Sequence, residues 1–401
     1  MVIVKTSFQN ESKGFPLRTL AGLPIVLTLS LSSFIGPFGG YMLIPVLKEA
    51  SIEFMIEEIT MGFAITVYMI PFSILQLFSG YFGDVYSKKG VITLGAVVYS
   101  LGSLFAYFSY NFPIFLLARI LQGIGSALMT PISMALVGDL YVRSLRGRIM
   151  GIMTVSIALG GIVGSILGGI IGLVYWRYIF LVMFGVGIVL SLMIIFFIPQ
   201  VKSIRKRSQI RFLSTYKEVI INKWVLFIGL SGSLIFYVRW SIITFLSYVV
   251  RSPPYNLDPK AWGGFLSLAG WGGLFAGFVA GILIGKFGEE KVIRLGFMSL
   301  LLIFMIFLTD YWFYYLPIVF FLLGFFSSFT FTALNTLILE VQRDFRGTAT
   351  SVYGSMRFIG FALGPIAPAP AYIIWGFSGV MIINIIAVII ITILWFLQKF
   401  E

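Results

Sequence analysis

The sequence predicts an all-α membrane protein, with twelve transmembrane helices in two pseudo-symmetric six-helix bundles. Three observations carry that reading. Of the 401 residues, 59% are hydrophobic and only 11% charged, and the mean hydropathy is +1.02. A soluble domain with this composition would leave large apolar patches in water. The apolar residues run continuously over lengths near the roughly 20 residues that a membrane helix needs, not in the alternating segments of a barrel. Segments also repeat at an offset of about 200 residues, as duplicated bundles do.

Splitting the apolar runs at charges and turns places the spans in order at 20–46, 59–80, 91–109, 112–137, 149–173, 178–199, 224–249, 262–285, 292–309, 312–338, 348–373 and 376–398. The first 18 residues are polar and charged, and no small-residue cleavage site follows the first run. Leu20 to Val46 therefore reads as a retained helix rather than a signal peptide. The longest polar stretch, Val201 to Lys223, lies midway. It divides the chain into an N-terminal bundle (1–200), a cytoplasmic linker (201–223) and a C-terminal bundle (224–401).

Charge sets the expected orientation. With both termini cytoplasmic, twenty-one of the 28 Lys and Arg fall in inside segments, among them Lys5, Lys88, Lys89, Arg143, Arg146, Arg343 and Arg346. Four fall outside (Lys48, Arg177, Arg251 and Lys260), and Arg119, Arg239 and Arg357 lie within spans. Basic residues gather on the cytoplasmic side of membrane proteins, so the net charge of +13 reads as topology in a cell membrane, not as nucleic-acid binding.

The repeat has three anchors. Arg143, Arg146 and Gly147 align with Arg343, Arg346 and Gly347, and Gly160 and Gly164 align with Gly360 and Gly364. With one more residue of shift, Gly80 aligns with Gly281. Two repeated bundles suggest a site at their interface near the bilayer midplane, with the bundles rocking about it.

The loop after the second span reads Gly80-Tyr-Phe-Gly83-Asp84-Val-Tyr-Ser87-Lys88-Lys89. The fourth span holds Arg119-Ile-Leu-Gln122-Gly123-Ile-Gly125 and is followed by Asp139 and Arg146-Gly147; Trp176-Arg177-Tyr-Ile-Phe180 enters the sixth. Together these resemble the major facilitator superfamily, with its G-x-L-a-D-r-x-G-r-k loop and the R-x-x-q-G motif of drug/proton antiporter-like members. Ser87 and Val85 depart from that loop's second Gly and its Arg. The resemblance implies a secondary transporter working by alternating access, usually as a monomer, with no cofactor. It also implies a gating set of Gly80, Asp84, Lys88, Lys89, Asp139 and Arg146, which holds the cytoplasmic side closed against the eleventh helix. Asp84 at a helix end suits the positive N-terminus of such a neighbour.

In the fourth span Arg119, Gln122, Ser126, Thr130 and Ser133 fall within an arc of roughly 80° at 100° per residue. A buried arginine costs at least about 2.5 kcal/mol, so the stripe is expected to line a cavity. The alternative is helix packing, with backbone carbonyls satisfying Arg119. Arg239-Trp240 and Arg357 are the other buried cations and have no acid nearby in sequence. The substrate or coupling set is therefore Arg119, Gln122, Ser126, Thr130, Arg239, Trp240 and Arg357. Glycines four apart at Gly160, Gly164 and Gly168, and at Gly273, Gly277 and Gly281, allow close helix approach. In the family the helices that carry them, the fifth and eighth, meet across the halves, so these six are expected between the bundles. Outside, Glu49, Glu53 and Glu57 are expected to form a solvated face.

Neither cysteine nor histidine occurs, which removes thiolate chemistry and the commonest metal ligand. No nucleophile elbow or phosphate loop is found, so an enzyme is not expected and neither is a metal. No acid lies near the middle of a span, so proton coupling would have to use one at a span end, such as Asp139. The favoured reading is proton-coupled efflux of small amphipathic compounds, supported by Tyr41, Tyr68, Tyr237, Trp240 and Trp271 in the spans. The partners are then the small-molecule substrate, protons and membrane lipid. The alternative is an organic-anion uniporter or proton symporter built on the buried arginines, and a non-transporting receptor is a remote third.

Overall fold

A computed structural model describes the backbone of residues 22–200, 212–309, 312–341 and 346–398. Within these it describes all side chains except those of 79–85, 143, 212–215 and 346. The elements are α1 (Gly22–Met42), a 3-10 turn (Ile44–Val46), α2 (Leu47–Glu53), α3 (Glu58–Met61), α4 (Phe63–Val85), α5 (Lys88–Phe108), α6 (Phe112–Leu140), α7 (Arg143–Gly172) and α8 (Tyr178–Phe197). After the midpoint come α9 (Phe212–Ile221), α10 (Lys223–Val250), α11 (Pro259–Phe287), α12 (Glu289–Ile306), α13 (Leu316–Val341), α14 (Arg346–Leu363) and α15 (Ala369–Leu397). The part of the expected linker before Phe212 lies outside the described residues.

Ten helical segments are long and apolar enough to cross a membrane among the described residues. The remaining two of the twelve are short and more polar. Helix α12 opens on Glu289, Glu290, Lys291 and Arg294, and α14 carries Arg346 and Arg357 amid Gly, Ser and Thr. Helix α12 is held by neighbours in its own half, and α14 by α10 in its own half and α4 in the other.

The pairing of helices displays the duplication. In the first half α1 packs on α7, α4 on α6, α5 on α6 and α5 on α8. In the second α10 packs on α14, α11 on α13, α12 on α13 and α12 on α15, which is the same scheme six helices later. The halves meet along two seams, α4 against α14 and α7 against α11.

Local chemistry fixes the helix ends. Asn111 caps α6 by accepting from the Ile114 amide at 2.9 Å, Asn222 caps α10 from Trp224 at 2.9 Å, and Asp258 caps α11 from Ala261 at 2.7 Å. One boundary differs from expectation. The eleventh span, expected over 348–373, is interrupted after Leu363, because Pro365 disfavours helical geometry at Gly364, and helix resumes at Ala369. Gly376 sits inside α15 at φ 61°, a kink that only glycine takes without strain.

Candidate functional site

Arg119 lies at the centre of the first half with none of its surface exposed. Its Nε donates to the Ala64 carbonyl on α4 at 3.1 Å, and Nη1 donates to the Gln122 side chain at 2.7 Å and the Gly39 carbonyl on α1 at 3.5 Å. The guanidinium also stands 4.2 Å from the Tyr68 ring. Gln122 passes the network on, donating to Ser103 on α5 at 2.7 Å and to the Met183 sulfur on α8 at 3.4 Å. Ser126 bonds the Tyr68 hydroxyl at 2.9 Å, and that hydroxyl donates to the Gly36 carbonyl at 2.8 Å. Arg119, Gln122 and Ser126 therefore line packed protein, not the expected cavity. Two backbone carbonyls and an amide oxygen meet Nε and Nη1, while the buried Nη2 has no hydrogen-bond partner. Thr130, the next along the stripe, is half-buried and reaches the Ser32 carbonyl at 3.5 Å.

The second half treats its cations differently. Arg357 is half-buried and lies 4.7 Å from Phe358, 5.0 Å from Phe331 and 5.2 Å from Phe236. Its buried Nε has no hydrogen-bond partner, and the same holds for the Nε of half-buried Arg239. Cation–π contacts contribute about 0.5–2 kcal/mol each, enough to offset much of the cost of burying Arg357 without using its N–H groups. Trp240 is fully buried between Tyr41 (4.9 Å) and Phe361 (4.2 Å). An aromatic path joins the two arginines across the seam: Tyr68 to Phe72 at 5.8 Å, then Phe72 stacked on Phe358 at 4.8 Å.

The two ends of the molecule are held differently as well. At one end Lys48 donates to the Arg251 carbonyl at 2.6 Å, Arg251 pairs with Glu49, and Ser247 reaches the Ile44 carbonyl at 3.4 Å, all across the halves. Nearby, Glu53 accepts from Arg177 at 2.6 Å, from Tyr175 at 3.1 Å and from the Trp176 indole. The expected solvated acidic face is thus replaced by two braces. Met55 at φ 54° ends its helix before Glu57 can join. At the other end Lys88 pairs with Asp139 at 2.5 Å, Lys89 donates to the Ile195 carbonyl at 2.8 Å and Arg146 to the Tyr141 carbonyl at 2.9 Å. These contacts stay within the first half, and one bond reaches it from beyond the midpoint, the Tyr216 hydroxyl on α9 donating to the Leu77 carbonyl on α4. The side chains at Gly80 and Asp84, which complete the expected gating set, lie outside the described residues.

A family model described as the Major Facilitator Superfamily matches residues 29–365 and 233–400. The chain belongs to the Major Facilitator Superfamily. It is 27% identical over 363 residues to the bacillibactin exporter of Bacillus subtilis, covering 86% of this chain and 87% of that one. It is 25% identical over 357 residues to a bicyclomycin resistance protein homolog of Haemophilus influenzae, covering 85% and 88%. In fold it resembles a crystal structure of the nucleoside transporter NupG, with a TM-score of 0.74 at 12% identity over 93% of this chain and 99% of that one.

The α7 glycine ridge of this superfamily member does not lie where its spacing suggested. A Cβ at Gly160, Gly164 or Gly168 would collide with the backbone of Phe34, Phe38 or Met42, so that ridge seats α7 on α1 within one half. Gly273 faces Ser328 on α13, and Gly277 and Gly281 have nothing within 4 Å. The seam between halves uses Ile162, Ser165 and Gly169 against Pro259, Gly263 and Gly270, a face of α7 roughly 135° from the ridge at 100° per residue. Toward the Lys88 end, Gly147 and Gly151 of α7 and Gly277, Gly281 and Gly285 of α11 are exposed, and a Cβ at any of them would have nothing within 4 Å. The α7–α11 seam is therefore close-packed at the Pro259 end, whereas the glycines toward the Lys88 end are uncovered. Trp271, one of the span aromatics, is 43% exposed on α11.

The sequence reading overlooked Phe236, Phe331, Phe358 and Phe72. With 41 phenylalanines in the chain, no single one stands out. The available signal was an arginine in a span whose helix offers no acid.

Proposed function

We propose that this protein is a secondary efflux carrier. It moves small amphipathic compounds out of the cell by alternating access, driven by protons, and faces the cytoplasm with its Lys88 end. The single observation behind this reading is the asymmetry of the seams. The halves are bridged at the Glu49–Arg251 end, while Gly277 and Gly281 toward the other end stand uncovered, which we read as the halves parting there. The basic residues lie mainly at the Lys88 end, which suits the cytoplasmic side. Export agrees with relatives named as an exporter and a resistance protein, and it weighs against the anion uniporter or symporter.

The α4–α14 seam is the natural pivot. Ser73 and Ser355 each donate to the other's backbone carbonyl (3.1 and 2.7 Å), and Thr66 donates to the Ala362 carbonyl at 2.7 Å. Opening the far end requires losing the Glu49–Arg251 bridge while these bonds persist. In this scheme Asp139, paired with Lys88 at the cytoplasmic end, is the coupling acid, and Arg119 positions the helices about the path without touching cargo.

Everted membrane vesicles test the proposal. When acidified inside, they should accumulate an amphipathic fluorescent dye only if they contain the protein, and a proton ionophore should stop the uptake. Accumulation that ignores the ionophore would remove proton coupling; no accumulation across a panel of amphipathic dyes would remove efflux.

A further inference from the structure

We propose that Arg357 and its three phenylalanines form the seat for an aromatic anion, so that the cargo carries an acidic group on or beside a planar ring. This inference rests on the efflux reading only for the direction of movement.

Among the described residues Arg357 forms no ion pair. No Asp or Glu occurs between Glu218 and Asp258, which covers α10, or between Asp344 and Glu401, which covers α14. On α13 the sole acid is Glu340, nine residues beyond Phe331 and so about 14 Å along the helix. The ring faces of Phe236, Phe331 and Phe358 stabilise the positive charge, but they accept none of the guanidinium hydrogens in the plane of the fork. The Nε is buried without a partner. Arg119 differs in that its Nε and Nη1 are held by backbone carbonyls and an amide oxygen, although its Nη2 is also without a partner.

The same rings decide which anion fits. A phenyl face carries negative quadrupole density and repels a compact, strongly hydrated anion such as phosphate. A carboxylate on an aromatic ring avoids this conflict. Its oxygens meet the guanidinium fork in a bidentate pair. Its ring meets neighbouring aromatics in the edge-to-face and offset geometries already present, with Phe236 edge-on to Phe331 at 5.5 Å and stacked on Phe361 at 5.5 Å. Phe358 also stacks on Phe72 of the other half, so cargo at this seat touches the element that links the bundles.

The test is binding to the purified full-length carrier, read by quenching of tryptophan fluorescence, with four probes: 1-naphthoate, its neutral isostere 1-naphthamide, inorganic phosphate and tetraphenylphosphonium. The seat predicts that naphthoate binds at least tenfold tighter than naphthamide and that phosphate does not bind. Arg357→Gln should weaken naphthoate at least tenfold, about 1.4 kcal/mol, and leave naphthamide unchanged. Arg357→Lys should recover part of the loss, and Phe331→Leu should weaken both naphthalene probes. Equal affinity for naphthoate and naphthamide in the wild-type protein would overturn the proposal without any variant. So would naphthoate affinity that survives Arg357→Gln, or tetraphenylphosphonium binding tighter than naphthoate. Failure here alongside dye accumulation in everted vesicles rejects the cargo class alone. Arg357-dependent naphthoate binding without transport in those vesicles rejects efflux alone.

Discussion

Arg119 and Arg357 are both arginines in membrane helices, yet their surroundings differ in kind. Arg119 is tied by hydrogen bonds to α1 and α4 and, through Gln122, to α5 and α8. Arg357 leans on three phenyl rings, and its Nε has no partner. Hydrogen bonds of the first kind fix geometry and make the charge part of the fold. Cation–π contacts lower the cost of a charge while leaving its donors free for something else. Both arginines keep one buried nitrogen without a partner, so what separates them is that Arg119 is anchored by hydrogen bonds and Arg357 by ring faces.

The comparison can be broken most easily at Arg119. Replacing it with methionine leaves the Gln122 and Ala64 acceptors unpaired. The expected loss is on the order of 3 kcal/mol, from two hydrogen bonds to a charged group. It should appear as a collapse in monodisperse yield on size-exclusion chromatography; an unchanged melting curve would show that the cage is not structural.

A smaller effect is expected along the seam. A side chain at Gly169 would meet the Pro259 carbonyl and the Lys260 backbone, so Gly169→Val should cost about 1–3 kcal/mol through overpacking. Gly277→Val has open space and should leave the melting temperature unaltered while slowing dye accumulation, because the helices must approach to close that end. If both variants melt alike, the seam is not tighter at one end.

The reciprocal serine bonds should contribute less. A double-mutant cycle of Ser73→Ala and Ser355→Ala, read by thermal unfolding, should give a coupling of about 1 kcal/mol. Strict additivity would deny the pivot. The smallest stability change is expected at Arg357, where glutamine should shift unfolding by less than about 1 kcal/mol, since it trades ring contacts for relief of a buried charge. A loss as large as that at Arg119 would erase the distinction between the two arginines.

Much of the architecture was legible beforehand. Apolar runs of membrane-spanning length give helices because backbone groups in lipid must be satisfied within the segment, and the repeat gives two bundles. The motif around Arg119 and Gln122 marked the correct helix, and its periodicity placed the polar residues on one face. The direction that face takes was not legible, because the carbonyls of Gly39 and Ala64 come from α1 and α4, far away in sequence. The glycine ridge of α7 misled for a related reason. Four-residue spacing says that something approaches closely, and both α1 and α11 approach α7, on different faces.

The sequence by itself determined the helices, their polar faces, the duplication and the lack of an acid beside Arg239 and Arg357, since these follow from composition and periodicity along one chain. Only the tertiary structure decided that Arg119 is enclosed, that Phe236, Phe331 and Phe358 gather around Arg357, and that Glu49 meets Arg251 across the halves. Those outcomes depend on which acceptors and rings the folding of distant helices brings within a few ångströms, and hydrogen bonds and cation–π contacts are lost beyond that range.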